Sequence, residues 1–106
     1  NLRHRPIGIG LMGFQDALYK QKIAYASEEA IQFADYAMEC ISYYAIDTSA
    51  DLAQERGSYE SFNGSLWSQG IMPLDTLDAL EKSRDGFLSV DKSSQLDWDS
   101  VRAKAK

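Results

Sequence analysis

The chain has 106 residues, enough for one modest domain or a piece of a larger one, and its 44% hydrophobic and 25% charged residues argue against disorder. A net charge of −5 and a pI near 4.7 argue against a general nucleic-acid or anionic-membrane surface, because phosphate binding needs clustered lysine and arginine. No apolar run approaches the ~20 residues of a membrane span, no signal peptide is recognisable, and a single cysteine permits no internal disulfide, so we expect a cytoplasmic protein.

The first motif along the chain is a glycine string, Gly8-Ile9-Gly10-Leu11-Met12-Gly13, which matches the G-x-G-x-x-G pattern of dinucleotide-binding proteins. In those proteins a buried strand precedes the glycines and an acidic residue closes a second strand. The residues before Gly8 suit no buried strand, and Asp35, at the acidic position, falls inside a predicted helix. We expect at most a short strand near 7–11 and a tight, closely packed turn into a helix. A small nucleotide binder using Gly8, Gly10 and Gly13 is the weakest alternative.

Helical spacing of apolar residues predicts four helices, at about 12–22, 27–56, 75–84 and 97–105. Ser27, Asp75 and Asp97 are the predicted N-caps of the last three. Gly57 and Gly86 are predicted to stop the second and third helices, Gly57 in a left-handed conformation. Between them, 58–74 reads as an ordered loop with turns at Asn63-Gly64 and Gln69-Gly70. The expected fold class is therefore mainly α.

The long helix has two different faces. The predicted buried stripe recurs every three or four residues and consists of Ala30, Phe33, Ala34, Ala37, Ile41, Tyr44, Ala45, Thr48 and Leu52, with Met38 at its margin. The opposite face is acidic but includes Tyr36, Tyr43 and Ile46, so we expect it to be partly covered. Its carboxylate ladder, Asp47, Asp51 and Glu55, is interpreted as a solvated surface or, alternatively, as a docking surface for basic groups of a missing neighbour. The basic clusters at both chain ends are expected to be solvated.

The residue types that carry chemistry are scarce. One histidine and one cysteine make a zinc site improbable. Cys40 is expected to be a packing residue, and His4 has no paired carboxylate that would make it a general base. Tyr43 and Tyr44 should diverge by ~100° around the helix, which argues against radical transfer between them. We therefore assign no catalytic, cofactor-binding or metal-binding residue to this span.

Several short motifs nevertheless occur in a recognisable order. They are Arg3-His4-Arg5-Pro6-Ile7-Gly8-Ile9-Gly10, Phe14-Gln15-Asp16-Ala17, Ser27-Glu28-Glu29-Ala30, Ile41-Ser42-Tyr43-Tyr44, Asp51-Leu52-Ala53-Gln54-Glu55-Arg56-Gly57, Tyr59-Glu60-Ser61-Phe62-Asn63-Gly64-Ser65, Gln69-Gly70-Ile71 and Leu96-Asp97-Trp98-Asp99. Together they resemble the large (alpha) subunit of class I ribonucleotide reductase, over essentially all 106 residues.

That resemblance implies an oxidoreductase that reduces ribonucleotides to deoxyribonucleotides, the precursors of DNA. The family's chemistry takes place inside a ten-stranded α/β barrel, with a radical supplied by a metal-containing small (beta) subunit and with nucleotide effectors. Residues 1–106 would be a single segment, an internal slice of the barrel domain, with the long helix supporting the barrel from outside. The family's catalytic and redox cysteines, radical-relay tyrosine pair, phosphate loop and allosteric sites do not map onto this span.

The resemblance leads to one main hypothesis and one competitor. The main hypothesis is a scaffold segment of the alpha subunit that is inactive alone and whose partners are the rest of the barrel and the small subunit. The competitor is an independent helical interaction module without enzymatic activity. No nucleic-acid or membrane partner is expected, and exposed apolar surface predicts self-association of the isolated chain.

Overall fold

The computed structural model describes residues 2–106 and is helical, as predicted. Four α-helices follow one another as α1 (Phe14–Gln21), α2 (Glu28–Arg56), α3 (Thr76–Ser83) and α4 (Trp98–Ala105), with short 3-10 turns at Trp67–Gln69 and Pro73–Asp75. The predicted boundaries agree with these within one or two residues. Residues 7–11 form no strand, within the part of the chain that the structure describes.

The long helix α2 is the central element of the fold. The Ser27 hydroxyl accepts a hydrogen bond from the Ala30 amide at 3.2 Å, which confirms the predicted N-cap, and two glutamates in the first turn favour the positive helix end. Its 29 residues, rising ~1.5 Å each, span about 44 Å, close to the 45 Å longest extent of the molecule. At the far end Gly57 has φ 81° and ψ 156°, so the predicted left-handed stop is wrong although the positive φ still favours glycine.

One of the other three helix starts differs from what the sequence suggests. Gly13 precedes α1 in the left-handed conformation, φ 82°, which explains why a glycine stands at this turn. The predicted N-cap role of Asp75 is wrong, since its carboxylate accepts no bond from α3 and instead receives the Met72 amide at 2.8 Å. Asp97 does cap α4, accepting the Ser100 amide at 3.3 Å.

Very little of the chain is buried. Among the described residues the buried hydrophobic side chains are Leu18, Ala30, Ala50, Met72 and Val101. Stacked rings of Phe14 and Phe33, 5.9 Å apart, join α1 to the first part of α2. The most extensive helix contact is between α2 and α4.

The contact with α4 corrects the predicted faces of α2. Tyr44, Leu52 and Thr48, assigned to the buried stripe, are exposed, the first two by 61% and 46%. Ala30 is buried as predicted. The mainly acidic face, which we expected to be partly covered, receives α4, because α4 and the segment before it supply an indole, a lysine and backbone N–H groups that match carboxylates. None of the helices in residues 2–106 combines the length and apolar character needed to cross a bilayer.

Candidate functional site at the contact between α2 and α4

The centre of this contact is a single carboxylate oxygen. Glu39 Oε1 accepts hydrogen bonds from the Gln95 amide at 2.8 Å, the Leu96 amide at 3.0 Å and the Trp98 indole Nε1 at 3.0 Å. The first two donors lie in the segment before α4 and the third lies in its first turn. Glu39 thus fixes both the approach to α4 and its start against the middle of α2, since hydrogen bonds to a charged acceptor are the stronger kind.

The same bonds govern the ionisation of Glu39. Desolvation alone would raise its pKa, but the hydrogen bonds from Trp98, Gln95 and Leu96 outweigh that effect and leave the pKa below the ordinary 4.5. The carboxylate is therefore charged at neutral pH, which suits a structural acceptor and not a general acid.

Aromatic rings continue the contact beside Glu39. The Trp98 ring meets Tyr43 edge-on at 5.4 Å, and Tyr43 meets Tyr44 edge-on at 5.2 Å. The ~100° divergence around the helix does not keep the two rings apart, since Tyr43 and Tyr44 meet edge-on from adjacent helix positions. Only Tyr43 is half-buried against α4, and Tyr44 remains exposed.

The acidic ladder of α2 meets a lysine of this same chain. Lys104 Nζ lies 2.8 Å from Asp47 Oδ1 and 2.6 Å from Asp51 Oδ1. These two carboxylates raise the pKa of Lys104, Asp47 having the larger effect. Docking of basic groups is the better interpretation for these two positions, although the base comes from α4 and not from a missing neighbour. Glu55 lies outside this group and contacts Arg56 at 3.7 Å.

Arg102 ties α4 to the turn before α3. Its Nη2 lies 3.0 Å from Asp75 Oδ2, the same carboxylate oxygen that receives the Met72 amide. Asp99 is a weaker, exposed neighbour at 3.6 Å. The expectation that the basic ends of the chain are solvated is wrong for Arg102 and Lys104, which both hold α4 in place.

A cavity of about 470 Å³ lies between α2, the turn at 72–75 and the segment before α4. Six carboxylates line it, from Asp35, Glu39, Asp75, Asp91, Asp97 and Asp99, against one guanidinium from Arg102. Such a field repels phosphate groups. Asp35, the residue at the acidic position of the glycine fingerprint, thus lies in a cavity unsuited to a nucleotide.

A second, smaller hollow of about 280 Å³ is mainly apolar and lies where the glycine string passes α2. Ile9 and Leu11 line one side, and Met38, Ile41 and Ala45 of α2 line the other. We call these five residues the apolar groove. Ile9 and Leu11 are 61% and 54% exposed, so the chain does not fill this groove by itself.

The glycine string shows no phosphate cradle. A Cβ placed on Gly8, Gly10 or Gly13 would meet nothing within 4 Å, so the expected close backbone packing is wrong at all three positions. Among these three glycines only Gly13 has a positive φ, the conformation that favours glycine.

Just upstream, residues 3–5 contact the loop after α2. His4 Nδ1 lies 2.7 Å from the Ser61 hydroxyl, and the Arg3 carbonyl accepts from the Ser61 amide at 3.2 Å. Arg5 Nη1 donates to the Gly57 carbonyl at 3.3 Å. His4 therefore takes part in a loop contact, in which its Nδ1 meets a hydroxyl and not a carboxylate.

Cys40 lies half-buried on α2 beside Tyr36. The neighbouring Cys40 side chain is the main cause of a raised pKa for Tyr36. Within residues 2–106 no group of three or more histidine, cysteine or acidic side chains is arranged to hold a metal ion. Sequence reasoning missed the roles of Glu39 and Lys104; the tyrosines and Ile46 on the acidic face of α2 were the one signal of a covering element.

Comparison with known proteins identifies the family to which this chain is similar. Residues 1–106 match the family model of the ribonucleotide reductase barrel domain. The ribonucleoside-diphosphate reductase subunit alpha of Chlamydia trachomatis is 53% identical over the whole chain, and that of Helicobacter pylori is 43% identical, again over the whole chain. The corresponding large subunit of Plasmodium falciparum is 37% identical. The chain spans 10%, 13% and 12% of the length of these three relatives. It therefore belongs to the ribonucleotide reductase family and corresponds to part of the barrel domain of the large, or alpha, subunit.

Proposed function

We propose that this chain is a scaffold segment of a ribonucleoside-diphosphate reductase alpha subunit, the oxidoreductase that makes deoxyribonucleotides for DNA synthesis. Residues 1–106 act as a single segment inside the barrel domain. The observation that carries this proposal is the apolar surface that the chain leaves open.

That surface is too large for a self-sufficient small domain. Ile7 and Met12 are 87% and 99% exposed, and they flank the half-open apolar groove. Tyr44 and Leu52 also project from α2 and are 61% and 46% exposed. Large exposed apolar patches mark contact surfaces, and the relatives hold the remaining nine-tenths of their length outside this span. The rest of the same subunit is thus the fitting occupant.

The polar side of the molecule supports a structural role. Glu39, Lys104 and Arg102 all form contacts that fix α4 and leave no poised acid, base or nucleophile. We infer that substrate binding, radical chemistry and effector binding belong to other parts of the enzyme, with the radical coming from a metal-containing small subunit. The segment itself needs no cofactor, is inactive alone and works in the cytoplasm. The relatives favour this proposal over an independent interaction module.

The groove provides the direct test. In the complete alpha subunit, Ile9→Asp or Ile41→Asp places a charge where the barrel would pack, and burial of an unpaired charge is strongly unfavourable. We expect loss of folded, active subunit, measured as soluble yield, melting temperature and ribonucleotide reduction with the small subunit present. Gln32→Asp, at an exposed polar position of the same helix, is the matched control and should change little. Full activity of the two groove variants would refute the scaffold proposal.

Two measurements on the isolated chain complete the test. Light scattering at high concentration should show dimers or larger species, since the open apolar surface can bury itself only against another copy. A clean monomer would contradict this expectation. Calorimetry with nucleoside diphosphates and dinucleotides should show no tight binding; stoichiometric tight binding would instead support the nucleotide-binder alternative.

A further inference from the structure

The loop between α2 and α3 includes a tight turn built on Asn63 and Gly64. The Ser65 amide donates to the Phe62 carbonyl at 3.0 Å, which closes a four-residue turn with Asn63 and Gly64 at its centre. Gly64 has φ 84° whereas Asn63 has no positive φ. This combination is that of a type II turn, which places glycine at the third position.

The amide nitrogen of Gly64 is free to act as a nucleophile. Both residues are exposed, and a Cβ on Gly64 would meet nothing within 4 Å. Within residues 2–106 no acceptor receives the Gly64 N–H, while the Gly64 carbonyl is held by the Gln69 side chain at 3.3 Å. The nitrogen is therefore unprotected beside the Asn63 carboxamide, with no side chain of its own to shield it.

From this geometry we propose that Asn63 is a site of spontaneous deamidation. Hydroxide removes the Gly64 amide proton, the nitrogen attacks Cγ of Asn63, and the new C–N bond closes a five-membered succinimide as the carboxamide nitrogen leaves as ammonia. Water then opens the ring at either carbonyl and gives aspartate or isoaspartate at position 63. No oxidant or reductant is involved, and the net reaction consumes one water and releases one ammonia.

The same chain includes a matched comparison at Gln69 and Gly70. There the glycine amide donates to the Trp67 carbonyl at 2.9 Å, where it caps a 3-10 turn. A Cβ on Gly70 would also meet the Lys106 and Arg102 side chains at 3.5 and 3.6 Å. A glutamine must in addition close a six-membered ring, so Gln69 should persist while Asn63 is converted.

Conversion would act on a contact already described. The turn directly follows Ser61, which bonds Arg3 and His4, and it includes Phe62, whose ring meets Tyr59 edge-on at 5.7 Å. Isoaspartate adds a methylene to the backbone, and both products add a negative charge. We expect the link between residues 3–5 and this loop to weaken as the site is modified.

The experiment ages the folded protein that carries this chain at mildly alkaline pH and analyses it by tryptic peptide mapping. One peptide, Gly57–Lys82, includes both Asn63 and Gln69. We expect a mass gain of about one dalton at Asn63, where an amide NH₂ becomes OH, and labelling by an isoaspartyl methyltransferase. A sample digested at time zero corrects for conversion during digestion. The rate should rise in proportion to hydroxide concentration.

Two variants sharpen the result. Asn63→Gln should lose the one-dalton gain, because only the slower six-membered ring remains available. Asn63→Ser, which keeps a polar turn residue without a carboxamide, should lose it completely. An aged peptide that stays unmodified at Asn63 in the folded protein, while the guanidinium-unfolded protein is converted there, would overturn the proposal, as would earlier modification at Gln69.

Discussion

Two faces of α2 are treated differently by the rest of the chain. On one face, α4 binds through one carboxylate, an edge-on ring pair and a lysine between two aspartates. On the face beside the glycine string, the apolar side chains that approach α2 leave an open groove. Polar contacts of the first kind are specific and can be completed within a short chain. The apolar groove, by contrast, is not filled by the residues of this span. The segment therefore completes its own polar contacts but leaves its apolar packing incomplete.

The largest effect is expected from Trp98→Ala. The substitution removes both the ring that meets Tyr43 and one donor to Glu39, and it should cost on the order of 2–3 kcal/mol in the docking of α4. Hydrogen exchange of the α4 amides measures this loss directly. Phe87→Ala, at an aromatic residue 77% exposed, is the matched control and should stay within about 0.5 kcal/mol. Unchanged protection of α4 in the tryptophan variant would show that the contact does not depend on this ring.

Acid should weaken the same contact through Glu39. Its folded-state pKa lies below the ordinary 4.5, so its contribution is present above that value and is lost as pH falls through the lower folded-state pKa. Asp97, whose pKa is lowered mainly by the Ser100 hydroxyl, loses its capping bond in the acid range as well. Tryptophan fluorescence during acid titration should therefore show α4 release.

Glu39→Gln distinguishes the contribution of Glu39 to the acid transition from that of Asp97. The variant should dock α4 less firmly at neutral pH, and its remaining acid transition should come mainly from Asp97. With Asp97→Asn added, the change in tryptophan fluorescence during acid titration should become smaller still. An unchanged acid transition in the Glu39 variant would mean that this carboxylate does not control release.

A smaller, salt-dependent effect is expected from Lys104→Met. Loss of the lysine leaves Asp47 and Asp51 as like charges one turn apart, which lowers α4 protection modestly. Because salt screens exposed pairs, the difference from the parent chain should shrink at high ionic strength. Lys106→Met is the control, since Lys106 forms no ion pair with another described residue. Equal effects of the two substitutions would contradict the assignment.

The smallest effect on stability is expected at the exposed apolar residues beside the apolar groove in sequence, Ile7 and Met12. Ile7→Ser and Met12→Ser change side chains that are 87% and 99% exposed, so the unfolding free energy of the isolated chain should move by less than about 0.5 kcal/mol. Light scattering should nevertheless show weaker self-association. A large destabilisation would reveal packing of these residues within the segment and remove the contrast between the two regions.

The sequence predicted the local structure well and the packing poorly, for a physical reason. Helix spacing, Ser27 and Asp97 are local signals, and each marked its element correctly. Which face of α2 is covered depends on residues more than fifty positions away, and Glu39 looked like any exposed glutamate until its three donors were placed. Tyr44 and Leu52 follow apolar periodicity as a buried stripe should, but both side chains are exposed.

The carboxylate of Glu39 also has a consequence for the order of folding. Its three bonds join residues separated by 56, 57 and 59 positions, whereas α2 is held by contacts four residues apart. Closing so long a loop is entropically costly before any contact forms, so α2 should appear early and α4 should dock late. During synthesis the acidic face of α2 is therefore exposed until α4 has been made, because the lysine and the tryptophan that cover it belong to α4.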